Sequence, residues 1–297
     1  MRLNASLVAL SLVVSATLSG CALTRTMGWN QDKSGDTLSE AEQKTVIASG
    51  KSRWAKRLDR AELELALKDF EKVATANPNH YESHAYLVRG YYLLADGHLP
   101  DSEMNEKKRL WEIGTSWGER ALATNTAFRE KVKDGKVALE DALDLVTKDQ
   151  VDAVYWTATN LGKWARNSNI TTALKYKTRV KKMIERVQAL DPTFFHGAPD
   201  RYWGAYYATL PALFGGSLDK SNEYFQKSMK SAPNYLGTKV LYADALLRKR
   251  GDRAGFRKTL EQVLQSKPDA LADLAAENTL EQRKAKDLLA REAELFD

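Results

Sequence analysis

Cysteine is almost missing from this chain: Cys21 is the only one in 297 residues. No intrachain disulfide can form, even in an oxidising compartment. Histidine is scarce as well, with four in all. Only His80 and His84 stand four apart, close enough to share a helix face. Without a third clustered ligand they make no metal site, so surface or capping roles are expected and no metal is. There is no Gly-x-Ser-x-Gly, no Walker loop, no Gly-x-Gly-x-x-Gly and no His-Glu-x-x-His. No enzyme and no cofactor is therefore expected. Sustained period-two alternation is lacking, which argues against strands. Neither charge sign dominates: 45 basic against 39 acidic residues give a net +6, with the two signs mixed along the chain. That balance, with no nucleic-acid module, speaks against nucleic acid as a partner.

What is present begins at the N-terminus. Arg2 is followed by an uncharged run from Ala5 to Leu18 and then by Leu18-Ser19-Gly20-Cys21. A positive start, a short apolar run and small residues before the end read as a secretory signal, 1–21. The run is too short to make a good membrane span. Leu-Ser-Gly-Cys resembles the bacterial lipobox, which makes Cys21 the predicted lipidation site and the first residue of the mature chain. Several acyl chains on one cysteine would anchor the protein firmly. Ala22 follows where an aspartate would retain a lipoprotein in the inner membrane. By that likeness the expected place is the outer membrane, lipid-anchored and facing the periplasm. Residues 22–38 are polar and read as a tether, and 39–297 as one helical domain.

Ser39 and Glu42 form a capping-box pattern that opens the first helix. The helical pattern then runs to Ala76, with weak points at Gly50 and Asp59-Arg60. Leu63, Leu67, Phe70 and Val73 form one apolar face. Helices are also predicted from Glu82, from Ser102, from Lys148, over Ile170–Leu190, Ser217–Ser231, Leu236–Arg250 and Arg253–Ser266, with Phe128–Val146 a short connection. On Ile170–Leu190 a basic stripe, Lys175, Arg179, Lys182 and Arg186, is set against an inward row of Leu174, Val180, Met183, Ile184 and Val187. That stripe suits either a solvated face or an anionic surface.

Helices stop at Asn77-Pro78, Asp191-Pro192, Ala232-Pro233 and Lys267-Pro268, with aliphatic, aromatic or small residues recurring at fixed distances before each. This is similar to a degenerate tetratricopeptide pattern, in which each hairpin leaves an apolar face that only its neighbour can bury. The expected fold is all-α: irregular TPR-like hairpins stacked as an α-solenoid or superhelix.

The stretch 191–216 is the densest in aromatic residues. Pro192 stops one helix. Pro199 and Pro211 bound a short one carrying Arg201, Tyr202, Trp203, Tyr206 and Tyr207. Gly215 and Gly216 suit a turn needing positive φ. The rings serve either core packing between hairpins or the wall of a pocket. Arg201 has two readings as well. It pairs with a neighbouring helix, or it clamps a ligand carboxylate among Trp156, Tyr202, Trp203 and Tyr206.

From Tyr155 to Phe296 the order of motifs resembles the T-component (TatT-like) lipoproteins of TRAP transporters. The likeness is carried by Tyr155-Trp156, Leu161-Gly162, Leu190-Asp191-Pro192, Gly204-Ala205-Tyr206-Tyr207, Leu210-Pro211, Gly215-Gly216-Ser217, Gly251-Asp252 and Glu277-Asn278. The resemblance implies a periplasmic, TPR-like lipoprotein, associating as a homotrimer. It also implies that the chain binds the solute-binding P-component and passes it a small hydrophobic or carboxylated ligand. The competing expectation is a TPR-type scaffold in envelope assembly, which would present an open concave groove.

Overall fold

A computed structural model describes residues 21–31, 35 and 37–297. The predicted signal segment lies outside the described residues except for Cys21, which is exposed. Every regular element among the described residues is helical, as the periodicity requires. In chain order the main helices are α1 (Glu40–Trp54), α2 (Arg60–Ala76), α3 (Tyr81–Leu93), α4 (Met104–Ala123), α5 (Val151–Ser168), α6 (Ile170–Leu190), α7 (Phe194–Thr209), α8 (Leu218–Ser231), α9 (Leu236–Tyr242), α10 (Arg253–Gln265) and α11 (Ala275–Ala290). None is long and apolar enough to cross a membrane.

Their ends follow local chemistry. At α1 the capping box is complete: Ser39 N donates to Glu42 Oε2 at 2.8 Å, and Glu42 N donates to Ser39 Oγ at 3.3 Å. The helix runs through Gly50, and the chain turns instead at Asp59, whose carboxylate accepts from Ala61 N at 2.8 Å. α3 and α9 each continue into a π-helical turn, Leu94–His98 and Ala243–Leu247. Such turns widen the helix and re-aim one side chain. In the first of them the side chain is that of Asp96, which is turned inward.

Helices pack against their successors, α1 on α2, α2 on α3, α3 on α4, α5 on α6 and α8 on α7, so each apolar stripe is covered by the next element. The tightest crossing is α4 on α5. A Cβ added at Gly118 would stand 1.8 Å from Thr157 Oγ1, and one at Gly114 would stand 2.8 Å from the Asn160 side chain. Only glycine lets these helices approach so closely.

The stack closes on itself. α11 returns to the first hairpin, where Glu277 meets Arg57 Nη2 at 2.7 Å and Arg89 Nη2 at 2.6 Å. Lys284 reaches Asp96 at 2.8 Å. These pairs join residues 188 to 220 positions apart in sequence. An open solenoid would leave both ends apart; here the last long helix seals the interior against the first.

The start of the expected tether is not free. Residues 23–31 lie along α4 and α6. Leu23 N donates to Thr172 Oγ1 at 2.9 Å and Arg25 N to Tyr176 Oη at 3.1 Å. The Arg25 guanidinium meets the buried Glu119 carboxylate at 2.8 Å, and Gly28 N donates to its other oxygen at 2.6 Å. The buried ion pair, with both Glu119 oxygens engaged, holds the strap in place. The basic stripe of α6 is covered too. Arg179 pairs with Glu140 at 2.6 Å, Lys182 with Asp141 at 2.6 Å, and Arg186 donates to the Asp144 carbonyl at 3.0 Å. It docks the 139–146 connection. Leu174, expected inward, is half exposed.

Candidate functional site

The turn between α6 and α7 has the most unusual backbone among the described residues. Asp191-Pro192 stops α6, and Phe195, His196 and Gly197 then take left-handed φ values of 40°, 57° and 72°. Glycine adopts this region freely. For phenylalanine and histidine it is strained by about 1–2 kcal/mol each. The straight part of α7 begins only at Pro199, which needs no backbone N–H there.

Arg201 holds this turn. Its guanidinium donates to the His196 carbonyl at 3.0 Å, the Phe195 carbonyl at 3.3 Å, Thr238 Oγ1 at 3.3 Å and Tyr155 Oη at 3.5 Å. The side chain is fully enclosed and lies 4.6 Å over the Tyr235 ring. Burial disfavours its charge, yet the surrounding phenol oxygens keep its pKa raised. Neither sequence reading of Arg201 describes this arrangement. Its partners are backbone carbonyls and hydroxyls, not a carboxylate of a neighbouring helix, and its donors are turned to the strained turn. Asp200 beside it pairs with Lys227 at 2.9 Å.

Tyr202, Trp203, Tyr206 and Tyr207 of α7 pack on one another and on their neighbours. Trp203 is buried, and its Nε1 donates to Gln188 at 2.8 Å. Tyr202 stacks on Tyr206, and Tyr207 stacks on Tyr224 of α8. The partly exposed Tyr206 and Tyr207 rings carry Lys177 and Lys220 at 5.8 and 5.6 Å. These rings fill the junction of α6, α7 and α8, and the cavities beside the α6–α7 turn are lined by other residues. Of the rings named from the sequence, Trp156 lines the inner of the two spaces beside the turn. Gly215 has φ 90°, as expected of a turn, and Gly216 lies where a Cβ would stand 1.9 Å from the Leu210 carbonyl oxygen. Pro211 sits in extended backbone just after α7.

Two spaces meet at Phe195. The outer one is an open pocket of about 430 Å³ between the α6–α7 turn, Ser231–Asn234 and Leu271. The inner one, of about 30 Å³, is lined by Arg89, Tyr92, Asp96, Trp156, Phe195, Tyr235, Glu277, Glu281 and Lys284, among others. It has room for water and not for an organic molecule. Phe195 lines both. Its ring packs edge-on to Trp156 at 4.9 Å and to Tyr235 at 5.6 Å.

Charge is concentrated around the inner space. Asp96 bridges Lys163 at 2.6 Å and Lys284 at 2.8 Å. Burial alone would raise its pKa, but the two ammonium groups hold it well below the usual carboxylate range. Glu277 is likewise lowered despite burial, by Arg57 and Arg89. Arg89 and Lys284 line the space against Asp96, Glu277 and Glu281, while Arg57 and Lys163 pair with Glu277 and Asp96 from outside it. Nothing in the sequence pointed to Arg89, Asp96 or Lys284 as neighbours, because α3 and α11 meet only through closure of the whole stack.

The histidine pair makes no metal site: His80 caps α3, and His84 is buried against Trp117 with Nε2 2.9 Å from the Pro78 carbonyl. No cluster able to hold a metal occurs among the described residues.

A family-wide sequence profile described as TRAP transporter T-component matches residues 57–296. The chain belongs to the TRAP transporter T-component family. The match includes the α6–α7 turn and both spaces at Phe195. The T-component fold also extends N-terminal to the motifs between Tyr155 and Phe296 that carry the resemblance. A protein of Treponema pallidum (strain Nichols), described only as uncharacterized, is 25% identical over 255 residues, covering 79% of this chain and 78% of its own length. The family is a transport-associated one and not an enzyme family.

Proposed function

We propose that this chain is the lipid-anchored T-component of a TRAP-type uptake system. It is held through Cys21 at the periplasmic side of the outer membrane and binds a periplasmic solute-binding protein. In this reading the chain also takes up a small ligand with an apolar body and an anionic end, and works as a homotrimer. The observation that carries the reading is the family match over 57–296, together with a helical stack whose last long helix closes on the first helices around an aromatic interior. The seal between α11 and the first hairpin favours an enclosed ligand route over the open peptide groove of an assembly scaffold.

In-cell crosslinking followed by isolation of the lipoprotein from the envelope tests the partnership. A TRAP-type solute-binding protein is the expected crosslinked product. Recovery of outer-membrane assembly factors in its place would reject the reading. Cys21→Ser is expected to move the protein out of the membrane fraction.

A further inference from the structure

We propose that the end of the body formed by the α5–α6 corner and the residues next to Cys21 is a membrane-docking surface. It sits in the headgroup layer of an anionic bilayer, with α6 pointing away from the membrane. This rests on the lipid anchor at Cys21 proposed above, and specifies how the anchored body stands on the lipid.

Three observations converge. First, the strap leaves the anchor no slack. A free linker over 22–38 would hold the body about 20–25 Å from the anchor on average. Instead the chain is fastened two residues after Cys21, where Leu23 N donates to Thr172 Oγ1 at 2.9 Å. Two extended residues reach no further than about 7 Å. Arg25 N then meets Tyr176 Oη, and the Arg25 guanidinium is locked on Glu119. From Thr172 to Tyr176 the strap runs in the direction of α6. Traced back from Leu23, it heads for the α5–α6 corner at Ser168–Ile170, so acyl chains on Cys21 enter the bilayer beside that corner.

Second, this end of the body is apolar. Seven large hydrophobic side chains are exposed among the described residues, and three of them gather here: Leu23 at 47%, Ile170 at 58% and Leu174 at 52%. Ile170 and Leu174, four apart, share one side of the start of α6. Thr172, which holds Leu23, lies on the other side. The apolar residues therefore surround the helix start, which suits contact through the end of α6 and not along its flank. Leu174 stands about 6 Å further from that end than Ile170. Both fall within the depth of about 5–10 Å to which interfacial apolar groups sink.

Third, the charge is complementary to anionic headgroups. From Ala153 to Ile184 there is no acidic residue and there are seven basic ones. Lys163, Arg179, Lys181 and Lys182 are answered by carboxylates of Asp96, Glu140, Glu185 and Asp141. Lys177 lies over the Tyr206 ring. Arg166 and Lys175 are exposed near the corner, and Lys175 Nζ rests on Thr24 of the strap. Basic groups flanking exposed apolar side chains are what binds a surface to anionic lipid.

The test uses the full mature lipoprotein in vesicles of phosphatidylethanolamine and phosphatidylglycerol. Because Cys21 is the only native cysteine and is acylated, an introduced cysteine is the single reactive thiol. An environment-sensitive fluorophore is attached in turn to Ile170→Cys, Leu174→Cys and Thr178→Cys, and to Leu264→Cys of α10 as a control. All four positions are exposed, and thermal unfolding checks that each variant is folded. Spin-labelled lipid then quenches whichever label reaches the headgroup layer. Quenching is expected to be strongest at position 170, weaker at 174 and weaker again at 178, one turn of helix at a time. At 264 it should be several-fold below that at 170. Equal quenching at 170, 174 and 178 in membrane-bound protein would overturn the end-on stance. No more quenching at 170 and 174 than at 264 would overturn the docking surface. In both cases the Cys21 anchor stands. Recovery of the protein in the soluble fraction would remove the anchor, and the docking surface with it.

Discussion

At the scale of single residues, burial changes what each polar group can do. His84 is enclosed at the α3–α4 contact, and burial pushes its pKa down to about 4 from an ordinary value near 6.5. The folded state therefore resists protonation that the unfolded chain accepts. Its contribution to stability is complete above about pH 6.5 and is lost as pH falls from there towards 4, a total of about 3 kcal/mol. His98 and His196 are lowered by burial as well and act in the same direction. Denaturant midpoints at pH 7 and pH 4.5 should differ accordingly, and His84→Asn should remove most of the difference. A pH-independent midpoint would show that His84 is open to water. Arg201 makes the complementary point. The sequence marked it as the polar group most worth attention beside the aromatic run. Its use by a left-handed turn five residues upstream was not legible, because φ at Phe195 and His196 is set by tertiary packing and not by residue type.

At the scale of elements, most of the chain could be read in advance. The capping box at Ser39, the stops at Pro78, Pro192 and Pro233 and the helical spans from Val151 onward follow from local chemistry, which acts within a turn or two of the residue concerned. Two features needed neighbours. Leu174 fits the apolar period of α6 and yet faces out, since that period fixes the stripe only to within about a residue. The 22–38 segment reads as polar and free, but Arg25 finds Glu119, a partner 94 positions away. The glycines divide in the same way, by what lies opposite. Gly118 faces Thr157 at the α4–α5 crossing, so Gly118→Ala should force the helices apart and cost about 1–3 kcal/mol. Gly162 in α5 has only a Val180 methyl at 3.6 Å from an added Cβ. Gly162→Ala should be neutral or stabilising by up to about 1 kcal/mol, through helix propensity. Equal effects of the two substitutions in thermal unfolding would contradict the close crossing.

At the scale of the whole molecule, closure sets the form of the interior. A stack of hairpins joined only to its neighbours would be quasi-linear, with a groove along one face. Here α11 is tied back to the α1–α2 turn, to α3 and to the turn after it by ion pairs whose carboxylates are mostly buried. Asp96→Asn would leave Lys163 and Lys284 without their shared carboxylate. About 3–5 kcal/mol of stability should be lost, with amide exchange rising first in α11. Uniform exchange along the chain would show that the seal is not a separate unit. The tetratricopeptide-like pattern foretold stacking but not closure, which depends on the curvature summed over every hairpin. For the same reason the candidate site was half legible. Trp156 could be named from its place in an aromatic helix, whereas its neighbours across the inner space, Arg89 and Phe195, are brought beside it only by the tertiary fold.

The most direct test of the central claim is the affinity of the purified lipoprotein for the TRAP-type solute-binding protein of the same cell, measured by calorimetry. A transport T-component should bind it in a fixed ratio with a dissociation constant of about 10 μM or tighter, equivalent to about 7 kcal/mol. No heat of binding at partner concentrations of about 1 mM, in the presence and absence of transported ligand, would contradict it.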